Sequence, residues 1–269
     1  NQLNKKADYF RDRKLADITS QQVNRLVVKS KDGEIVLEKQ NNHWSITKPL
    51  QARADDSKVN DLIANATAAR IDQFTSDSSN LASYGLTEPK GTIEFYTAES
   101  ADKPVTLQIG ANGKEDKDKE KTFVKLSTRD SVVLVPKDIE SILSNKPNDL
   151  RDRNLIRVES DIVDRISVEV PNNPAIVMAR KGESWVRKDG DKEIEINDAI
   201  PSSLLANLQG TQVTNFVADT ATELPKYGLD QPAIKVTLSS YASENTAETT
   251  AGDKPIVSIL IGKVEGDSG

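Results

Sequence analysis

The side chains with the most obvious chemical potential are ionic. Arg11-Asp12-Arg13 and Arg151-Asp152-Arg153 each set two guanidinium groups around a carboxylate. Planar guanidinium forks can hold a phosphate or an acidic peptide, or they can hold protein carboxylates and fix a junction between folded units. The triplet opens two similar stretches of chain, and this repetition favours the junction. Trp44 and Trp185, the only tryptophans, are the next candidates. An indole face can stack on a sugar or a base, or it can close a hydrophobic core. Each stretch holds one Trp and few other large aromatics, which favours the core. Arg11, Arg13, Arg151, Arg153, Trp44 and Trp185 are therefore the candidate interaction or junction residues.

Other motifs lead to simpler readings. Ser45-x-x-Lys48 fits an acyl-transfer pattern as a string, but it lies in a strand-like run without the Ser-Asp-Asn and Lys-Thr-Gly partners of that chemistry. No nucleophile-elbow, phosphate-loop, zinc-protease or dinucleotide pattern occurs. Asp116-x-Asp118-x-Glu120 and Asp189-x-Asp191-x-Glu193 alternate carboxylates as calcium loops do, yet lack the glycine and closing glutamate of an EF-hand. Asp55-Asp56 could be a general acid and base. A helix cap is the better reading, because the second stretch places Ala199 and Ile200 nearby and shows no copied pair. The lone histidine, His43, sits beside Trp44 as a surface or packing residue, and the absence of cysteine removes thiolate chemistry. No catalytic residues, cofactor or metal ligands are assigned.

Composition narrows the partners. A net charge of -6 and a pI near 5.1 argue against nucleic acid, which needs a basic face. The charged residues, 29% of the chain, alternate in sign, as on a solvated surface. No apolar run reaches the roughly 18 residues of a membrane span. The chain begins at Asn1, so an upstream signal peptide or membrane anchor is expected.

An internal repeat organises everything else. Arg11-Asp12-Arg13-x-Leu15 returns as Arg151-Asp152-Arg153-x-Leu155, 140 positions on. Trp44 returns as Trp185, and Phe74-x-Ser76-Asp77 as Phe216-x-Ala218-Asp219. Leu81-x-x-Tyr84-Gly85-Leu86-x-x-Pro89 returns as Leu224-x-x-Tyr227-Gly228-Leu229-x-x-Pro232, and Ile109-Gly110 as Ile261-Gly262. The offset only grows, with its large step in the polar stretch after Ser239, where a surface loop absorbs insertions at small cost.

Within one unit, alternating runs at Val23–Lys29, Glu34–Lys39 and Trp44–Thr47 predict an antiparallel meander. Its second copy runs over Val163–Val170, Ala175–Arg180 and Ser184–Lys188. A helix follows with Val59, Leu62, Ile63 and Ala66 on one face, matched by Pro201, Leu204, Leu205 and Leu208. Tyr-Gly-Leu reads as a helix stop, with Gly85 or Gly228 in the left-handed region. Strands at Thr92–Thr97, Val105–Ile109, Thr122–Leu126 and Val132–Val135 and a helix over Lys137–Leu143 complete the first unit. The fold class is α+β: two tandem repeats, residues 11–150 and 151–269, each an antiparallel sheet with helices on one face. By the repeat logic the second unit is C-terminally incomplete and further chain is expected after Gly269.

The repeated strand with Trp, the Tyr-Gly-Leu stop, the Ile-Gly strand end and the Arg-Asp-Arg-x-Leu entrance together resemble a bacterial envelope family, domain of unknown function 4340. The resemblance covers nearly the whole chain in tandem copies. It implies an N-terminal membrane anchor bearing an extracytoplasmic part, encoded beside components of ABC-type export systems related to gliding-motility transporters. It carries no catalytic or ligand residues. The expected function is thus a non-enzymatic module scaffolding a transport complex, with a transporter subunit as protein partner, the membrane reached through the N-terminal anchor, and no nucleic acid. The alternatives are a glycan- or peptide-binding module with its ligand between the units, and an unrecognised hydrolase.

Overall fold

Residues at every second position drive the first sheet together. Leu26 and Val28, Ile35 and Leu37, and Trp44 and Ile46 all enter one core from three successive strands. The computed structural model describes residues 11–75, 79–100, 102–241 and 253–262. These divide into two units, Asn1–Asp152 and Arg153–Gly269, each with its own core. The fold is α+β with two antiparallel sheets.

The first sheet begins with β1 (Val23–Ser30), β2 (Gly33–Gln40), β3 (His43–Lys48) and the two-residue β4 (Ala52–Arg53). Asn41 and Asn42 both take positive φ, 48° and 66°, which is the geometry of the tight β2–β3 hairpin. Helix α1 (Asp56–Ala68) follows. Asp55 caps it, accepting the backbone N–H groups of Ser57 and Lys58, and Val59, Leu62, Ile63 and Ala66 are buried at helical spacing. The chain continues through β5 (Gln73–Phe74), β6 (Gly91–Thr97), β7 (Val105–Asn112), β8 (Lys121–Leu126) and β9 (Val132–Pro136), giving the strand order β4-β3-β2-β1-β6-β7-β8-β9-β5.

The second sheet contains β10 (Arg165–Glu169), β11 (Ile176–Lys181), β12 (Ser184–Asp189), β13 (Lys192–Ile196), β14 (Ile234–Ser240) and β15 (Lys254–Ile261) in the order β13-β12-β11-β10-β14-β15. Strand for strand, this is the order of the first six strands of the larger sheet. Helix α2 (Ala199–Gly210) lies between β13 and β14 in sequence, with Pro201, Leu205 and Leu208 buried. Pro201 is tolerated in the first turn, where its missing N–H has no intrahelical partner.

One element differs from expectation. Lys137–Ser144 is a 3-10 segment, not an α-helix. Its buried residues Ile139 and Ile142 are three apart, which suits a turn of three residues. The short strands β4, β5 and β13 escaped sequence reading; the two residues of β4 and of β5 are too few to show a periodicity. No helix among the described residues is long and apolar enough to cross a membrane.

Candidate functional site

Arg13 and Arg153 each act as a fastener within the unit that holds it, while Arg151 and Asp152 of the second triplet belong to the first unit. Arg13 Nη1 donates to the carbonyls of Ile71 (3.1 Å) and Asp72 (2.9 Å), just after α1. Arg153 Nη1 does the same to Val213 and Thr214, at 2.9 Å each, just after α2. Backbone bonds run alongside: Ile71 N donates to Arg13 O at 2.7 Å and Val213 N to Arg153 O at 2.7 Å. Arg11 lies 3.9 Å over the Phe74 ring, and Arg153 5.6 Å from the centre of Phe216. Arg151 donates to Asn148 Oδ1 at 3.3 Å and bridges Ala54 through its backbone. Carboxylate pairing, the expected role of the triplets, includes the longer contacts Arg53–Asp152 at 3.6 Å and Arg129–Asp12 at 3.8 Å. The principal partners of Arg13 and Arg153 are carbonyls.

Both tryptophans lie inside their separate cores, Trp44 fully buried and Trp185 at 4% exposure. A stacking platform needs an exposed ring face, and neither ring offers one. What holds them is an aspartate at the start of the next helix. The Trp44 backbone N–H donates to Asp56 Oδ1 at 2.6 Å, and the Trp185 N–H to Asp198 Oδ1 at 3.0 Å. The counterparts of Asp55-Asp56 are therefore Asn197-Asp198, and not Ala199 and Ile200. Asn197 Oδ1 accepts the Ala199 N–H at 2.9 Å as a cap. The acidic pair thus divides into a cap and a strand tie. Trp44 Nε1 also donates to Asn60 Oδ1 (3.1 Å), and His43 Nδ1 meets Asp56 Oδ2 at 2.8 Å.

The Tyr-Gly-Leu and Ile-Gly motifs turn out to pack on one another. Gly85 and Gly228 take φ of 65° and 63°, and the following Leu N–H closes back on the carbonyl of Leu81 (3.0 Å) or Leu224 (2.9 Å). Opposite each stop sits the glycine that ends the strand. A Cβ on Gly110 would lie 2.3 Å from Tyr84 O, and one on Gly262 would lie 2.8 Å from Tyr227 O. Glycine is required there by close backbone approach.

Two clefts occupy matching places in the two sheets. The first, about 760 Å³, lies between the β1–β2 turn, the start of β6 and the 3-10 segment, and Lys29, Lys31, Lys90 and Glu140 are among its lining residues. Lys29 donates to Glu94 at 2.6 Å, and this bond holds its pKa above the usual lysine range. Lys90 is taken by Glu140 at 2.8 Å and by Asn112. The ammonium groups of Lys29 and Lys90 are neutralised by these neighbours and are poorly placed to act as bases or anion traps. The second cleft, about 660 Å³, is lined by Glu169, Asn172, Asn173, Gln231 and Lys235 at the corresponding turn and strand start. Its chemistry differs, with Glu169 at the place of Lys29 and the carboxamides of Asn172, Asn173 and Gln231 in the lining. Among the described residues no group of three or more acidic or histidine side chains is placed to hold a metal.

The surface feature that sequence reading missed is apolar. Among the described residues, the exposed large hydrophobic side chains all belong to the second unit and include Ile176, Ile194, Ile200, Val217 and Ile261. Period-two alternation marks Ile176 and Ile261 as core residues, and their counterparts Ile35 and Ile109 are indeed buried. Nothing in the local sequence distinguishes the two cases.

No curated protein and no solved structure matches the chain. A family described as Domain of unknown function (DUF4340) matches residues 44–232 and again 185–269. The two matches begin at Trp44 and Trp185, the buried tryptophans of the two cores. The chain belongs to the DUF4340 family.

Proposed function

We propose that this chain is a non-enzymatic, protein-binding module made of two copies of one unit, each a sheet with its helix on one face. It is the extracytoplasmic part of a membrane-anchored protein and scaffolds an ABC-type transport complex by holding one of its subunits. The observation offered for the binding role is that Ile176, Ile194 and Ile261, on three strands of the second sheet, leave apolar side chains exposed. The shared strand order and the paired contacts of Arg13 with Arg153 and of Asp56 with Asp198 support the duplication. The conspicuous polar residues act as caps, ties and fasteners, which fits a scaffold. Family membership adds the envelope setting as an expectation. The test is site-specific photocrosslinking of the intact gene product in native membranes. A crosslinker at Ile176, Ile194 or Ile261 is expected to capture a transporter subunit, whereas one at Lys31 is not. Recovery of no envelope protein from any of the three positions would remove the proposal.

A further inference from the structure

The second arginine triplet is divided between the two units. Leu150, just before it, is buried in the first core, and its carbonyl accepts the Asp55 N–H at 2.8 Å. Arg151 bridges Ala54, next to β4, and the Asp152 N–H donates to Arg53 O at 3.0 Å. The Asp152 side chain is 4% exposed and lies 3.6 Å from the Arg53 guanidinium. Lys58, in the first turn of α1, donates to Asp149 O at 3.0 Å. Residues up to Asp152 therefore complete the first unit, although the repeat in the sequence starts its second copy at Arg151.

The next residue is held by the second unit. Arg153 O accepts the Val213 N–H at 2.7 Å, and its guanidinium donates to the carbonyls of Val213 and Thr214 at 2.9 Å each. Two residues on, the Leu155 N–H donates to Thr211 O at 2.9 Å. The chain thus passes from one unit to the other across a single peptide bond, with hydrogen-bonded backbone on both sides.

A joint without slack has a thermodynamic consequence. Each residue that folding fixes costs backbone entropy. While the first unit is folded, Asp152 is already fixed, so Arg153 begins from a restricted set of conformations when the second unit folds. We infer that Asp152-Arg153 is a clasp that couples the folding of the two units, the first unit lending stability to the second.

The direction follows from the cores. The second is the smaller, so it opens while the first is still intact and benefits from the fixed end. The first unit opens when the second has already unfolded, and the clasp then gives it nothing.

The two tryptophans read the units separately: Trp185 alone remains in Trp44→Phe, and Trp44 alone in Trp185→Phe. Inserting a short Gly-Ser segment between Asp152 and Arg153 is expected to lower the Trp185 urea midpoint by about 0.5 M and to leave the Trp44 midpoint in place. A segment three times as long should lower it no further, because the insert closes no loop and release of the clasp is complete at the first length. An unchanged Trp185 midpoint overturns the coupling. So does a drop shared by both midpoints, or one that keeps growing with insert length.

Point substitutions test the division of the triplet. Asp152→Ala removes the buried partner of Arg53 and should lower the Trp44 midpoint by about 0.5–1 M, sparing Trp185. Arg153→Ala, one residue on, should lower the Trp185 midpoint and spare Trp44. The reverse assignment, or equal effects of each substitution on both signals, would show that the triplet is not shared in this way.

Discussion

At the scale of the residue, the polar side chains that look chemical are structural because of what they face. Arg13 joins two consecutive carbonyls, and the five donors of a guanidinium suit such a double contact better than a lysine ammonium. Arg13→Ala is expected to cost about 1–2 kcal/mol in urea unfolding, less than two fully buried charged bonds would, because the group is partly solvated. Arg153→Ala should cost a similar amount, and Arg13→Lys should recover only part, which separates the hydrogen bonds from the charge. A second prediction concerns ionisation. Burial first, and a hydrogen bond to Glu94 second, raise the pKa of Tyr96, and burial also raises that of Tyr241. A phenol whose folded pKa lies above its unfolded value stabilises the fold below about pH 10, and that contribution is lost as pH rises through the folded value. Spectrophotometric titration should therefore show a late-ionising component, and Tyr96→Phe and Tyr241→Phe should each remove part of it. Unchanged titration curves would contradict the assignment.

At the scale of the element, the stops and turns were the most legible features, since a glycine in the left-handed region has a strong local signature. The two Tyr-Gly-Leu stops nevertheless predict different costs. At Gly228 an added methyl group would point into open space, with nothing within 4 Å, whereas at Gly85 the new Cβ would lie 2.9 Å from Ala111 N. Gly228→Ala should then lose about 1 kcal/mol, the strain of placing an L-residue at positive φ. Gly85→Ala should lose clearly more, and thermal melts of the two variants will rank them. The meander, both main helices and the Tyr-Gly-Leu closure were all readable, because each depends on contacts a few residues apart. The tie from Asp56 to Trp44 and the approach of Gly110 to Tyr84 were not readable, since each joins separate elements. The same limit hid the exposed isoleucines: Ile35 and Ile176 sit in similar local sequence, and only what lies across the sheet decides whether they are covered.

At the scale of the whole molecule, the two units should differ in stability. The first core draws on residues of β8 and β9 and on the 3-10 segment, while the second core lacks such a contribution among the described residues and leaves Ile176, Ile194 and Ile261 in water. A smaller core buries a smaller fraction of its apolar surface and offsets less of the conformational entropy lost on folding. Each core holds one tryptophan, so the chain carries its own reporters. In Trp44→Phe the remaining fluorescence comes from Trp185 in the second unit, and in Trp185→Phe it comes from Trp44 in the first. Either substitution weakens only the unit that has become silent, so each variant reports an unaltered core. The Trp185 signal is expected to fall at a lower urea concentration than the Trp44 signal, by on the order of 1 M. Coincident midpoints in the two variants would mean that the units unfold as one.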